Sequence, residues 1–211
     1  MCANFEHYCS VVVTMIIGLT GCKGGGKDTV GQHLVDNYEF TRLAFADKLK
    51  EAVANLFNIK VEKVDAFKSV KVQCTVYEDA ESDDELKSGG FYEWSSYSWR
   101  EFLQRFGTEM GRNTFGRDFW VQQWEEELYR NSYQTGNVVA TDVRFPNEAY
   151  RIIHLGGTIV EIVRPGYEPD GHVSEEPLQR DLIDAQIVND GDIASLYVDV
   201  DELMKGLPHG G

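Results

Sequence analysis

The stretch GCKGGGKDT, residues 21–29, decides the fold class of this chain. It fits the pattern GxxxxGK and follows an apolar, β-branched segment at 11–19, which predicts a buried strand. Residues 27–38 come next and carry apolar side chains at helical spacing. Glycines let successive backbone amides point inward around a phosphate, and the start of a helix adds partial positive charge there. The stretch therefore predicts a phosphate-binding loop between a strand and a helix.

The loop supplies a lysine and a hydroxyl with distinct predicted roles. Lys27 has the position from which a loop lysine reaches the β- and γ-phosphates of a nucleotide. Ser or Thr usually follows that lysine directly, whereas here Asp28 follows it and Thr29 comes one residue later. Thr29 is therefore our candidate for the hydroxyl near Mg²⁺. The residues predicted to bind ATP are Gly21, Cys22, Lys23, Gly24, Gly25, Gly26, Lys27, Asp28 and Thr29.

Strands and helices are predicted to alternate along the rest of the chain. The further strands are predicted at 42–45, 138–143, 158–163 and 185–188. The further helices are predicted at 47–57, from the capping box of Ser98 and Glu101 to about 111, from 118 onward, at 147–155 and at 193–205. The helix from 118 carries three apolar residues at four-residue steps, Trp120, Trp124 and Leu128. This alternation indicates an α/β fold whose mostly parallel sheet is covered by helices on both faces.

The length of 211 residues fits one domain with an insertion better than two domains. We predict a single domain over 11–211 and treat 1–10, which lack clear periodicity, as a dispensable extension. The segment 73–97 is acidic and rich in aromatic residues, and it interrupts the pattern as an inserted loop or hairpin. It is either a solvated surface loop or a mobile cover over a ligand.

The composition argues against several classes of partner. Asp and Glu number 35 against 20 Lys and Arg, and a net charge of −15 repels nucleic-acid polymers while still permitting a focused site for a small anion. The longest apolar run is far shorter than the roughly 20 residues that cross a bilayer, so we expect no membrane partner. The four cysteines lack metal-binding spacing and suit a reducing cytoplasm. The chain is expected to be a monomer or a homodimer.

Four arginines stand within WREFLQRFGTEMGRNTFGRDFW, residues 99–120, although basic residues are scarce elsewhere. They are Arg100, Arg105, Arg112 and Arg117. Arg105 and Arg112 are seven positions apart and share one face if the helix is continuous. Another face, turned toward the core, is formed by Trp99, Leu103, Phe106 and Met110. The arginines either pair with acidic neighbours in the same segment or clamp a second phosphate, because a guanidinium group binds two phosphate oxygens at once.

The string VVATDVRFPNE, residues 138–148, places charged side chains after a predicted strand, where ligands collect in open parallel sheets. Asp142 either holds Mg²⁺, directly or through water, or caps the loop that follows the strand. Arg144 stands two residues later and is our candidate for contacting a transferring phosphoryl group. Asp47 follows the predicted strand at 42–45 in a similar way and either caps the next helix or faces the acceptor.

These groups favour a small-molecule kinase whose acceptor is itself a phosphate. No Asn in the chain is followed by Lys, so the NKxD signature of guanine-binding switches is absent. A phosphate monoester has a second pKa of about 6 and is already ionised at neutral pH, so transfer to it needs cations that offset repulsion rather than a base. The chain offers several candidate arginines and no obvious His–carboxylate catalytic pair. We therefore favour a nucleotide acceptor, with Asp47 and Asp142 as metal or positioning groups.

Five strings together resemble the bacteriophage deoxynucleoside monophosphate kinases. They are GLTGCKGGGKDT (18–29), LAFADKLKEA (43–52), LQRFGTEMGR (103–112), VVATDVRFPNEA (138–149) and HVSE (172–175). The GKDT form of the loop and the DVRFPNEA string carry the resemblance most specifically. It implies a three-layer P-loop kinase fold with a sheet of order 2-3-1-4-5. It also implies transfer of the ATP γ-phosphate to a deoxynucleoside monophosphate, with Mg²⁺ as the metal.

The resemblance implies roles for residues of this chain as well. It places Lys23 through Thr29 at the ATP phosphates. The candidates for contacting the acceptor or the transferring phosphate are Arg100, Arg105, Arg112 and Arg144. The predicted substrate site also includes Asp47 and Lys50, and the predicted catalytic residues are Lys27, Asp142 and Arg144. The alternatives are another P-loop small-molecule kinase, such as one resembling dephospho-coenzyme A kinase, and a nucleotide-binding regulatory module without transfer activity.

Overall fold

The strand that leads into the glycine-rich loop, β1 (Met15–Thr20), lies at the centre of a five-stranded sheet in a computed structural model of the protein. The structure describes residues 15–66, 71–77, 92–131, 136–166 and 177–207. The other strands of this sheet are β2 (Phe40–Arg42), β5 (Asn137–Ala140), β6 (Thr158–Val163) and β7 (Ala185–Val188). Every pairing is parallel, and the order β2-β5-β1-β6-β7 becomes 2-3-1-4-5 when only these five strands are counted along the chain. The predicted sheet is confirmed.

One face of the sheet packs against the first and the last helix. Side chains alternate along a strand, and Ile17 and Leu19 of β1 point to this face, where both are fully buried. They share one hydrophobic core with apolar residues of α1 (Lys27–Tyr38) and α7 (Ile193–Gly206). The first helix packs on β1 and the last helix packs on β7 and on the first helix, so one hydrophobic core lies beneath the glycine-rich loop.

The opposite face of the sheet carries two other helices. Ile16 of β1 points to this face and packs with apolar residues of α5 (Phe119–Asn131) and α6 (Pro146–His154). The apolar stripe predicted on α5 is confirmed, because its three residues are all buried: Trp120, Trp124 and Leu128. Helices therefore cover both faces, and the predicted three-layer α/β arrangement is confirmed.

The chain forms two compact units, one made of the chain up to Asp47 and from Asp118 onward, the other of Lys48–Arg117. The elements of the second unit are α2 (Asp47–Leu56, except its first residue), α3 (Val61–Ala66), β3 (Lys71–Tyr77), β4 (Tyr92–Ser98), α4 (Trp99–Arg105) and a π-helix (Phe106–Thr114). Its core is built from Val53, Ala54, Val64 and Trp99. The single domain over 11–211 stays a prediction, and the extension 1–10 lies outside the described residues.

The insertion predicted at 73–97 contains most of an antiparallel hairpin. Its strands β3 and β4 pair with Lys71 opposite Ser98 and Tyr77 opposite Tyr92. The segment between them, 78–91, lies outside the described residues. The hairpin alternative is thus the one observed, while the choice between a surface loop and a cover over a ligand stays a prediction.

The continuous α-helix predicted from Ser98 to about residue 111 is wrong beyond Arg105. Its start is confirmed, because Ser98 and Glu101 form the expected capping box. From Phe106 to Thr114 the backbone is a π-helix, whose i→i+5 hydrogen bonds put more residues into each turn. The α-helical spacing that would align Arg105 with Arg112 therefore does not apply across this segment.

The change to π-geometry also alters which residues face the core of the second unit. Trp99 is buried, and Leu103 and Phe106 pack against the same core, as predicted. Met110 was predicted to join them, but it is 44% exposed. Gly107 and Gly111 are buried in its place. The apolar spacing of the sequence fits an α-helix only as far as Phe106.

The second strand is shifted toward the N-terminus relative to the prediction. It was predicted at 42–45, whereas β2 covers Phe40–Arg42 and pairs with β5 from Phe40 opposite Asn137. The backbone amides of Phe45 and Ala46 bond to the Asp142 carboxylate instead of to a neighbouring strand. This side chain competes successfully with the sheet for those amides, so the strand ends early.

Candidate functional site

The glycine-rich loop joins the end of β1 to the start of α1 through backbone conformations that favour glycine. Gly21 has φ +123° and Gly26 has φ +112°, both in the left-handed region. A side chain at Gly21 would also place its Cβ atom 2.2 Å from the carbonyl oxygen of Ile162 on β6. Both positions thus favour glycine for their backbone angles. Gly21 is also favoured because the neighbouring strand β6 leaves no room for a side chain there.

Lys27, the first residue of α1, extends its side chain back across this loop. Its Nζ donates hydrogen bonds to the carbonyl oxygens of Gly21 at 2.7 Å and Cys22 at 2.6 Å. An ammonium group thus lies at the loop beside the positive end of α1, whose first-turn amides have no intrahelical acceptor. Phosphate oxygens are stronger acceptors for an ammonium than neutral carbonyls are, because the bond is charge-assisted on both sides.

A cleft of about 750 Å³ opens beside the loop. On the loop side its lining residues are Gly24, Gly26, Lys27, Asp28 and Thr29. On the other side they are Arg164, Asn189, Leu196 and the turn 191–194 at the start of α7. Five of the nine residues predicted to bind ATP therefore line one cleft, and Thr29 is among them.

Two cleft residues, Arg164 and Asn189, were missed by the sequence analysis. The Nη1 atom of Arg164 donates to the Gly24 carbonyl at 3.1 Å, and the Nδ2 atom of Asn189 donates to the Gly25 carbonyl at 2.7 Å. A usable signal existed, because each residue directly follows a correctly predicted strand, at the edge of a parallel sheet where ligands collect.

At the start of α7 the cleft is lined by a carboxylate and by an exposed apolar side chain. Asp192 caps α7, where its carboxylate accepts hydrogen bonds from the backbone amide and the hydroxyl of Ser195. These bonds hold the pKa of Asp192 below its ordinary value, so the carboxylate is ionised at neutral pH and repels phosphate. Next to it, the apolar side chain of Ile193 is 61% exposed. This end suits an uncharged ring with polar edges.

Asp142 lies in the turn after β5, at the same edge of the sheet as the glycine-rich loop. The amide of the next residue, Val143, donates to the Leu19 carbonyl of β1 at 3.1 Å, which fixes the turn beside the end of that strand. The two carboxylate oxygens of Asp142 accept hydrogen bonds from the amides of Phe45 at 2.8 Å and Ala46 at 2.9 Å. The capping role left open by the sequence is therefore present, and each oxygen keeps a lone pair for a further partner.

Asp47 also bonds to the loop that follows β2. Its carboxylate accepts from the Ala44 amide at 2.9 Å and pairs with the Arg42 guanidinium at 3.1 Å. Both partners precede α2, which begins at Asp47 itself, so the carboxylate holds the loop before the helix and the predicted helix-capping role is wrong. The proposed contact of Asp47 with the acceptor stays a prediction.

Arg144 stands directly before α6 with an exposed side chain. Its backbone amide donates to the Glu148 carboxylate at 2.8 Å, and the Phe145 amide donates to the same oxygen at 3.1 Å. Glu148 is only 2% exposed, so a buried carboxylate at the start of α6 holds the backbone from which the Arg144 side chain leaves. The DVRFPNEA string thus contains a positioning group, Glu148, that the sequence analysis did not single out.

The remaining predicted residues belong to the second unit. Lys50 pairs with Asp65 at 2.8 Å, Arg105 approaches Glu109 at 3.9 Å, and Arg112 donates to the Arg117 carbonyl at 3.2 Å. Arg100 is half-buried. The pairing of Arg105 with an acidic neighbour is one of the alternatives stated above, and the clamp stays a prediction. The HVSE string, 172–175, lies outside the described residues.

A divalent cation at the loop would have few protein ligands. Across the described ranges, no three His, Cys, Asp or Glu side chains converge on one point. The available groups are the Thr29 hydroxyl in the cleft and the Asp142 carboxylate at the neighbouring strand end. This sparse oxygen set fits Mg²⁺, which keeps several waters and takes its other ligands from nucleotide phosphates.

Comparison with known proteins gives consistent matches. A family model described as deoxynucleotide monophosphate kinase matches residues 91–200. A protein of Acanthamoeba polyphaga mimivirus, provisionally named deoxynucleotide monophosphate kinase, is 32% identical over 197 residues, which cover 87% of this chain and 92% of that protein. The deoxynucleotide monophosphate kinase of Enterobacteria phage T4 is 24% identical over 241 aligned positions, which cover 91% of this chain and 99% of that protein.

Among solved structures, dephospho-CoA kinase from Campylobacter jejuni has a TM-score of 0.45 at 13% identity, covering 90% of this chain and 95% of its own. None of the helices in the described segments is long and apolar enough to cross a bilayer.

Proposed function

The chain belongs to the deoxynucleotide monophosphate kinase family, and from that membership we propose that it transfers the γ-phosphate of ATP to a deoxynucleoside 5′-monophosphate. The products are ADP and the deoxynucleoside diphosphate, a precursor for the supply of deoxynucleoside triphosphates. The observation that carries the proposal is the lysine at the glycine-rich loop, whose ammonium lies beside a cleft large enough for a nucleotide.

The donor is proposed to lie along this cleft in one direction. Its phosphates occupy the loop, where Lys27 exchanges its bonds to the Gly21 and Cys22 carbonyls for bonds to phosphate oxygens. Its adenosine extends toward Ile193, because the ionised Asp192 beside that residue repels phosphate but accepts hydrogen bonds from a base or a sugar. The exposed apolar side chain of Ile193 supports this orientation.

The acceptor phosphate attacks without a protein base. One of its oxygens, already ionised at neutral pH, forms a bond to the γ-phosphorus while the bond from that phosphorus to the β–γ bridging oxygen breaks, and ADP leaves. The obstacle is repulsion between two polyanions, which cationic side chains offset. We propose Arg144 at the transferring group and Lys50, Arg100, Arg105 and Arg112 at the acceptor, with Asp47 as a positioning group.

Mg²⁺ is part of the proposal. Thr29 and Asp142 are the residues that would hold it, Thr29 through its hydroxyl and Asp142 through the lone pairs left by its two amide contacts. When bound, the ion neutralises charge on the donor phosphates.

Three further points belong to the same proposal. The chain from 11 onward acts as a single kinase, to which the segment 48–117 contributes the acceptor-binding arginines. It acts as a monomer or a homodimer. It works in the cytoplasm, or in the host cytoplasm if a phage encodes it, because ATP and deoxynucleoside monophosphates are available there. The free thiol of Cys22 is consistent with this reducing compartment.

A direct assay tests the function. Purified protein is incubated with ATP, Mg²⁺ and each deoxynucleoside monophosphate in turn, and ADP and the diphosphate are quantified by ion-exchange chromatography. We expect equal amounts of both products with at least one acceptor. Diphosphate formation from none of them would refute the proposal.

Two further arms of the assay separate the alternatives. Turnover of dephospho-coenzyme A or another hydroxyl acceptor, in place of monophosphates, would identify a different small-molecule kinase. ATP binding in calorimetry without any product would indicate a regulatory module.

A further inference from the structure

Asn189 makes two hydrogen bonds that join the edge of the sheet to the glycine-rich loop. Its backbone amide donates to the Val163 carbonyl at 2.7 Å, which fixes the residue at the end of β6. Its side-chain Nδ2 donates to the Gly25 carbonyl at 2.7 Å. Asn189 is thus fixed by β6 through its backbone and holds the Gly25 carbonyl of the loop through its side chain.

The bond to Gly25 determines where the next amide points. No peptide bond in the described segments is cis, and in a trans peptide the C=O of one residue and the N–H of the next point in opposite directions. When Asn189 holds the Gly25 carbonyl, the Gly26 amide is therefore turned away from Asn189. An amide with a fixed direction is a preorganised donor for an anion, and it needs no reorganisation when the anion arrives.

The packing around Gly26 shows that the two residues are matched. A Cβ atom at Gly26 would lie 2.7 Å from the Asn189 Nδ2 atom, closer than real side-chain contacts allow. A side chain at position 26 would therefore displace the Asn189 amide from the Gly25 carbonyl. Position 26 is glycine for its backbone angle and also because Asn189 lies against it.

Arg164 holds the preceding carbonyl, although the amide that follows this carbonyl, that of Gly25, already donates to the Cys22 carbonyl at 3.1 Å. It directly follows β6, and its guanidinium donates to the Gly24 carbonyl at 3.1 Å. The ends of two adjacent strands thus hold two consecutive carbonyls of the loop. We propose that Asn189 is a positioning residue that sets the direction of the Gly26 amide for the phosphates of ATP. This inference rests on the proposed function for the identity of the ligand.

Calorimetry with inorganic tripolyphosphate and with ATP tests the inference without depending on catalysis. Asn189→Ala removes the donor, and Asn189→Leu removes it while keeping the volume of the side chain. Gln186→Ala is the matched control. Gln186 also has an amide side chain and lies on β7, the strand that Asn189 follows, but it donates to Glu161 and does not line the cleft. One hydrogen bond corresponds to a loss of roughly three- to tenfold in affinity.

We expect both Asn189 variants to lose roughly three- to tenfold in affinity for tripolyphosphate and ATP, with Gln186→Ala unchanged. In the kinase assay, KM should rise for ATP and stay constant for the monophosphate. Unchanged tripolyphosphate affinity in both Asn189 variants would overturn the inference. So would failure of both to fold, or an equal rise of both KM values, because either result marks a general structural role. A chain that binds ATP but does not phosphorylate monophosphates would refute the function and leave this inference standing.

Discussion

Asp201 on α7 accepts a hydrogen bond from His33 on α1, with 2.7 Å between the carboxylate Oδ1 and the ring Nε2. The same oxygen accepts from the Tyr38 hydroxyl at 2.8 Å. His33 is buried and stacks on Tyr197 with ring centroids 4.2 Å apart. Because α1 begins at the glycine-rich loop and α7 begins at the far wall of the cleft, this contact joins the two helices that border the donor site.

The first prediction concerns the acid stability of this contact. The hydrogen bond from His33, and then that from Tyr38, hold the pKa of Asp201 below its ordinary value of 3.8. A carboxyl group whose pKa is lowered by folding stabilises the protein above its unfolded pKa and loses that contribution as the pH falls toward its folded pKa. We expect Asp201→Asn to lower Tm at pH 7 and the difference from the parent to shrink below about pH 4.

Thermal unfolding followed by circular dichroism between pH 7 and pH 3 measures this difference. Asp199→Asn is the control, since Asp199 is an exposed carboxylate on the same helix. A constant Tm difference for Asp201→Asn across the whole range would show that the charge of Asp201 contributes nothing to the contact.

A second prediction concerns Lys27. We expect Lys27→Ala to lower kcat by at least about 100-fold, because it removes the charge that stabilises the transferring phosphate. Tm should change by less than about 5 °C, since the half-buried carbonyls of Gly21 and Cys22 can bond to water instead. Initial rates and thermal unfolding are measured on the same preparation, with the exposed Lys205→Ala as the control. A Tm loss large enough to explain the lost activity would make Lys27 a structural residue.

The two possible roles of Asp142 can be separated by Asp142→Asn. The variant keeps one oxygen and turns an NH₂ group toward the amide of Phe45 or Ala46, which should cost roughly 1–3 kcal/mol of folding free energy. If Asp142 also holds Mg²⁺, the Mg²⁺ concentration for half-maximal rate should rise several-fold.

Asp184→Asn provides the matched control for this experiment. Asp184 also accepts a backbone amide, that of Ile159 at 2.8 Å, but at the start of β6 and thus at the opposite edge of the parallel sheet. It should lower stability without changing the Mg²⁺ requirement. The same pattern in Asp142→Asn would leave Asp142 as a capping residue and remove it from the metal site.

The arginines of the second unit are predicted to act on the acceptor. We expect Arg105→Ala and Arg112→Ala each to raise KM for the monophosphate by roughly 10- to 100-fold, the effect of losing charged hydrogen bonds to phosphate, and to leave KM for ATP nearly unchanged. Steady-state kinetics with each substrate varied in turn measures both constants. Arg130→Ala, an exposed arginine on α5, is the control. Equal increases for the two substrates would argue against an acceptor clamp.

A further prediction concerns the packing of α1 on the sheet. A Cβ atom at Gly31 would lie 2.4 Å from the Cγ2 methyl of Thr141, so Gly31→Ala forces the helix away from the strand end. Alanine favours a helix by up to about 1 kcal/mol, but overpacking of this kind costs roughly 1–3 kcal/mol. We expect a net fall in the free energy of unfolding, measured by denaturant titration. Adding Thr141→Ser, which deletes the methyl group, should restore most of it; no restoration would place the strain elsewhere.

The parts of the fold that were predicted correctly depend on local patterns. The glycine spacing of the loop, the helix over Lys27–Tyr38 and the strands Thr158–Val163 and Ala185–Val188 were all predicted at their observed bounds. Each can be recognised within about a dozen residues, because glycine freedom and apolar periodicity act between near neighbours in the chain. The same holds for the capping box of Ser98 and Glu101.

The correction to β2 arises from a contact that no local pattern contains. β2 ends at Arg42 because Asp142, about a hundred residues away, takes the amides of Phe45 and Ala46. The π-helix after Arg105 places Met110 at the surface, although its spacing from Phe106 is that of an α-helical core stripe. At the end of β2 a long-range hydrogen-bonded contact overrides strand propensity.

By itself, the sequence determined that the protein has a glycine-rich loop on a parallel α/β sheet, because that loop consists of consecutive residues with a distinctive backbone requirement. Only the tertiary structure decided what surrounds the loop. Asn189 and Arg164 donate hydrogen bonds to its carbonyls, and Asp142 lies at the end of the neighbouring strand. The hydrogen bond between His33 and Asp201 joins α1 to α7. These groups come from separate strands and helices, and a directional hydrogen bond of about 3 Å between them exists only once the sheet has brought their ends to one edge.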